Sequence, residues 1–67
     1  MWIIKDDLSM EIISCNIHKE KETYELWVTR SNGKNFKLFE DENQEEVKIY
    51  KEAIDYAIEH GESALRL

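Results

Sequence analysis

At Asn43 the spacing of apolar residues changes, and that change limits the folds open to this chain more than any other feature. Before it, apolar side chains recur at every second position. After it, Val47, Tyr50, Ala53, Ile54, Ala57 and Ile58 recur at helical spacing, with Lys48, Lys51, Glu52, Asp55 and Glu59 on the opposing face. Asn43 followed three residues later by Glu46 has the form of a capping box, and Gly61 fits the left-handed position after a helix. Strands followed by one helix give an α+β fold.

The clearest strand signal is Thr23-Tyr24-Glu25-Leu26-Trp27-Val28-Thr29-Arg30, then Ser31-Asn32-Gly33, then Lys34-Asn35-Phe36-Lys37-Leu38-Phe39, which reads as a hairpin. Asn32-Gly33 as a two-residue loop would pair Trp27 with Leu38 and leave both faces mixed. Ser31-Asn32-Gly33 as a three-residue loop, with Gly33 left-handed, pairs Val28 with Phe36 and Leu26 with Leu38. Tyr24, Leu26, Val28, Phe36 and Leu38 then share one face, and the second register is expected. Met10 to His18 alternates loosely and reads as an earlier strand, with Glu11, Ile13, Cys15 and Ile17 on one side and Met10, Ile12, Ser14, Asn16 and His18 on the other. His18 to Glu22 is its polar connection to the next strand. Trp2-Ile3-Ile4 can add a short edge strand through an Asp6-Asp7 turn, and Ser63 to Leu67 is too short to classify. The expected architecture is a two-layer, antiparallel three-stranded β-meander, four-stranded with Trp2-Ile4, and one C-terminal helix packed on one face.

Without prolines, linkers or repeats, the 67 residues read as one domain. A chain of this length buries only about 60% of its unfolded surface. Its single cysteine, Cys15, leaves no intramolecular disulfide to compensate, so Cys15 reads as a reduced thiol and the protein as unexported and cytoplasmic. The net charge of −6 lies entirely in residues 40–67; residues 1–39 are balanced. An acidic surface repels phosphates and anionic lipid heads, so neither direct nucleic-acid binding nor a membrane role is expected, while a basic protein partner suits it.

Nothing in the chain calls for enzymatic chemistry. Cys15 and His18 lie close in sequence, but residues three apart on a strand point to opposite faces. The chain has three Cys and His residues in total, fewer than the four ligands of a structural zinc site. The run Glu40 to Glu46 lacks the alternating ligands and central glycine of a calcium loop, and Gly33 and Gly61 are taken by turn and cap, so no metal, cofactor or catalytic residue is assigned.

Binding is expected instead. In the preferred register the hairpin face away from Leu26 and Val28 carries Glu25, Trp27, Thr29, Lys37 and Phe39. One helix covers one face of a sheet, so Trp27 and Phe39, with Lys37 beside them, either are covered by Trp2, Ile3, Ile4 or the Leu65-Arg66-Leu67 tail in a small second core or form an aromatic docking face for another protein or for a second copy in a homodimer. The other surface is acidic: Glu42, Glu45 and Glu46 at the helix start and Glu52 and Asp55 along it. Negative charge at a helix start is also stabilising in its own right, by about 0.3–1 kcal/mol per group.

A meander followed by one helix resembles the small DNA-binding domains at the amino end of some phage-type integrases, which read the major groove with a sheet. Those domains present Arg and Lys from the sheet, whereas here only Arg30, Lys34 and Lys37 are available. In size and acidity the chain is similar to phage-encoded inhibitors of host defence systems, including DNA mimics. The sequence reading is therefore a non-enzymatic protein-binding module, an inhibitor or regulatory adaptor. Its alternative is an acidic nucleic-acid mimic that inhibits a basic DNA- or RNA-binding protein.

Overall fold

A computed structural model describes all 67 residues. The elements run β1 (Trp2–Lys5), β2 (Leu8–Glu20), β3 (Thr23–Arg30), β4 (Asn35–Asp41), α1 (Gln44–Glu59) and β5 (Ala64–Arg66). They form one five-stranded sheet in the order β4-β3-β2-β1-β5, antiparallel except where β5 lies parallel to β1. The fold is α+β, with two more strands than a three-stranded meander. Trp2–Lys5 turns at Asp6-Asp7 as expected, yet it is not an edge, because Ala64, Leu65 and Arg66 pair with Trp2, Ile3 and Ile4 on its outer side. The likeness to a three-stranded, sheet-reading DNA-binding domain therefore does not extend to the whole sheet.

The β3–β4 turn is the three-residue loop. Arg30 N–H donates to Lys34 C=O at 2.8 Å, and Gly33 takes φ +85°, a conformation cheap only for glycine. Val28 opposes Phe36 as expected. Beyond that point Leu38 is an extra residue: Trp27 opposes Lys37, but Leu26 opposes Phe39. Leu38 and Phe39 both turn toward the helix, and the expected Leu26–Leu38 pair is replaced.

A second bulge sits in β2. Ile12 opposes Arg30 and Ser14 opposes Thr29, so Ile13 is the additional residue. Parity resets there: Met10 and Ile12 point inward before the bulge, and Cys15 is buried with Ile17 packed on the core after it, while Ile13 is 58% exposed. The single alternation expected from Met10 to His18 is thus two half-strands of opposite phase. His18 to Glu20 is strand rather than connection, and the turn is Lys21-Glu22 alone.

The helix starts at Asn43, whose Oδ1 accepts from Glu45 N–H at 3.0 Å. The expected reciprocal Glu46 contact is replaced by Asp41, whose carboxylate accepts the Asn43 N–H at 2.7 Å. At the other end Gly61, φ +68°, donates to Ile58 C=O and Glu62 donates to Ala57 C=O, which is the Schellman arrangement. Val47 and Ile54 lock against Ile3, Met10, Ile12, Cys15, Leu26, Val28 and Leu38 to form the core. The sheet curls around it. Neighbouring strands are about 4.8 Å apart, so flat geometry would hold β1 and β4 well separated, yet the Lys5 ammonium lies 5.9 Å from the Phe39 ring.

Lys21 opens its two-residue turn at φ +53°, where a Cβ costs about 1–2 kcal/mol. Lys21→Gly is expected to raise stability by roughly 1 kcal/mol, read as a higher urea midpoint at unchanged m.

Candidate functional site

The sheet face turned away from the helix is uncovered. Cross-strand pairing places Ser14, Asn16 and His18 of β2, Glu25, Trp27 and Thr29 of β3, and Asn35, Lys37 and Glu40 of β4 on it. Neither Trp2–Ile4 nor Leu65–Leu67 folds across this face, since both continue the sheet sideways. Trp27 is half-buried and lines a shallow basin of about 270 Å³ together with Asn16, His18, Thr29 and Asn35.

The indole is fixed from one side. Its Nε1–H donates to Glu25 Oε1 at 3.0 Å, Lys37 Nζ lies 3.3 Å from Glu25 Oε2 and 3.4 Å from Glu40 Oε2, and the Thr29 hydroxyl donates to Asn35 Oδ1 at 3.0 Å. Glu25 is only 9% exposed although it sits on the outer face, because its neighbours lie over it. The indole hydrogen bond is the main reason its carboxyl is held below the usual glutamate range, with Lys37 adding to it. Lys37 is correspondingly held above the usual lysine range, first by Glu25 and then by Glu40. Lys37 thereby balances only one of the two carboxylates, so one negative charge remains on the Glu25–Lys37–Glu40 cluster, and the groups lining the basin itself are amides, a hydroxyl, an imidazole and the indole.

Of the residues expected on the docking face, Trp27, Lys37 and Glu25 come together. Phe39 does not. The Leu38 bulge turns it to the helix side, where its ring meets Tyr50 edge-on at 4.5 Å and Lys5, rather than Lys37, supplies the nearby cation. Thr29 lies on this face as expected, whereas Asn16, His18 and Asn35 were not expected to line a site with Trp27; their alternation with Cys15, Ile17 and Phe36 carried the signal once the two bulges are placed.

The acidic residues stand apart from this face. Glu42, Glu45 and Glu46 surround the helix start and are exposed, with Glu45 3.8 Å from Lys48; Glu52 is exposed on the helix. Asp55 instead serves the helix–sheet junction, accepting from the Cys15 thiol at 3.3 Å and from Lys51. Burial first, and Asp55 second, push the Cys15 thiol up to about 12. Cys15 faces the core and His18 the opposite side, so they form no pair. No three His, Cys, Asp or Glu side chains converge as a metal cluster would require, and no helix is long and apolar enough to cross a membrane.

Comparison with known proteins brings no match: no family model fits the chain, and no curated protein or solved structure matches it.

Two pH-linked outcomes follow from this geometry. A depressed carboxyl contributes stability that is complete above the ordinary glutamate pKa of about 4.3 and is lost as pH falls through the folded value. Glu25→Gln should therefore flatten the acid limb of a urea-stability profile below about pH 4.3, and a wild-type slope retained there would contradict the assignment. Cys15 should resist iodoacetamide at about pH 8 and react only as fast as the domain opens, because the thiolate is the nucleophile.

Proposed function

We propose that this chain is a non-enzymatic protein-binding module, a regulatory adaptor or inhibitor, that docks through the helix-free sheet face with Trp27 as its anchor. The observation that carries this reading is an indole held by Glu25 as the one apolar side chain lining an open basin of otherwise polar residues. Interfaces draw most of their energy from a few such aromatic anchors, and a ring of polar groups excludes water around them. A pre-fixed side chain also loses little rotamer freedom on binding. The amide and hydroxyl rim suits the backbone and polar side chains of a partner's loop. A different protein is favoured over a second copy, because Phe39 lies on the other side of the sheet and two chains of net charge −6 repel.

The alternative, an acidic mimic of nucleic acid that occupies a basic DNA- or RNA-binding protein, draws on Glu42, Glu46, Glu52 and Glu59, none of which has an ion-pair partner. Such binding weakens steeply with salt, whereas docking around the indole responds little.

Affinity capture from the source organism's lysate, with wild type beside Trp27→Ala, separates these outcomes. A protein retained by wild type at high salt and lost with Trp27→Ala is expected, at a cost to affinity of about 2 kcal/mol or more. Capture that persists in the variant, or that vanishes with salt alone, would remove the sheet-face reading.

A further inference from the structure

The helix has a second unpartnered surface, on the far side of the domain from Trp27. Seen down its axis, Val47, Ile54 and Ala57 are buried against the sheet, while Ile49 and Tyr56, seven residues apart and so in one line, face solvent at 60% and 58% exposure. These are two of the most exposed large apolar side chains in the protein, and nothing in the core requires them. Glu45 and Glu52 fall on the same line, with Glu46 and Glu59 flanking it.

The charge around this stripe is one-sided. The two helix lysines are already committed, Lys48 to Glu45 at 3.8 Å and Lys51 to Asp55. Glu46, Glu52 and Glu59 have no ion-pair partner, and the last helical turn contains no basic residue. Tyr56 is held in place by His60, whose ring stacks on it at 3.9 Å between centroids and whose Nδ1 lies 2.9 Å from the Tyr56 carbonyl oxygen. A solvated helix face does not need an ordered aromatic ring at its centre, whereas an apolar pair set in uncompensated carboxylates complements a surface with apolar anchors and surrounding cations.

We propose that the Ile49–Tyr56 stripe is a docking surface for a basic amphipathic helix of a partner protein. Its apolar residues at i, i+3, i+4 and i+7 lie along Ile49 and Tyr56, and its lysines or arginines meet Glu46, Glu52 and Glu59. Repulsion of acidic segments by the same carboxylates supplies the selectivity. This surface is separate from the Trp27 basin. It also differs from mimicry of nucleic acid, which needs charge but no apolar anchors.

The test uses three synthetic peptides and the isotope-labelled full chain. One peptide alternates lysine and leucine at helical spacing, the second replaces every leucine by serine, and the third replaces every lysine by glutamate. Fluorescence anisotropy is expected to show binding of the lysine–leucine peptide that is at least about tenfold tighter than that of either other peptide. Ile49→Ser combined with Tyr56→Ser should weaken it by at least about tenfold, with an unchanged far-ultraviolet circular dichroism spectrum, while Trp27→Ala leaves it intact. Amide shifts should cluster on the outward residues between Glu45 and His60. Equal binding of the lysine–serine peptide would overturn the proposal in favour of charge alone. So would undiminished binding by the double variant, or shifts centred on Asn16, Trp27 and Asn35. Failure on either count leaves the sheet-face reading standing, because its own test turns on Trp27.

Discussion

Strand alternation is strict, and the structure depends on breaking it twice. One additional residue in β2, Ile13, and one in β4, Leu38, each reset which side chains meet the helix. Without the first, the Met10 and Ile12 contacts and the Cys15 and Ile17 contacts could not lie on the same face. Without the second, Phe39 would stand beside Trp27 in solvent instead of against Tyr50. Bulges also increase strand twist, which fits a sheet curled far enough to bring Lys5 over Phe39. Phase, curvature and core therefore have a common origin in two surplus residues.

The outer face follows from the same economy. Sixty-seven residues supply one helix, and one helix shields one side of the sheet. The exposed side avoids a loose apolar patch by different chemistry: the indole N–H donates to a carboxylate, Lys37 pairs with that carboxylate, and Lys37 also reaches Glu40. The group carrying most apolar area is thus immobilised by polar neighbours. An aromatic anchored in this way, half-open beside paired charges, suits recognition better than aggregation.

Much of this was readable in the residues. The period change at Asn43, the Asn cap, Gly61 after the helix and the Gly33 turn are local signals, each fixed by the conformation of a few neighbouring residues, and the structure has them all. The shared face of Tyr24, Leu26, Val28, Phe36 and Leu38 was readable as well, since alternation within one hairpin is also local. What escaped is long-range. A bulge leaves no composition mark: Ile13 and Leu38 are ordinary strand residues, and only the demand of the helix for apolar contacts decides that the ladder must slip there. Ala64-Leu65-Arg66 becomes a strand solely because β1 offers an open edge. Trp27 and Glu25 on β3 and Lys37 before the β4 bulge lie on the outer face as their parity implied, whereas Phe39 lies beyond that bulge. Asp55 looked like free surface charge because its partner Cys15 is forty residues away.

The pairing of Ile3 with Leu65 joins the first strand to the last, so this seam closes a ring of nearly the whole polypeptide. Three parallel pairs, the Trp2 N–H to Ser63 and Leu67 N–H to Ile4 backbone bonds, and the packing of Leu65 and Leu67 against the core hold it together. Because β5 lies along it, the outer ladder of β1 is filled from within the chain instead of being left open to a neighbouring strand.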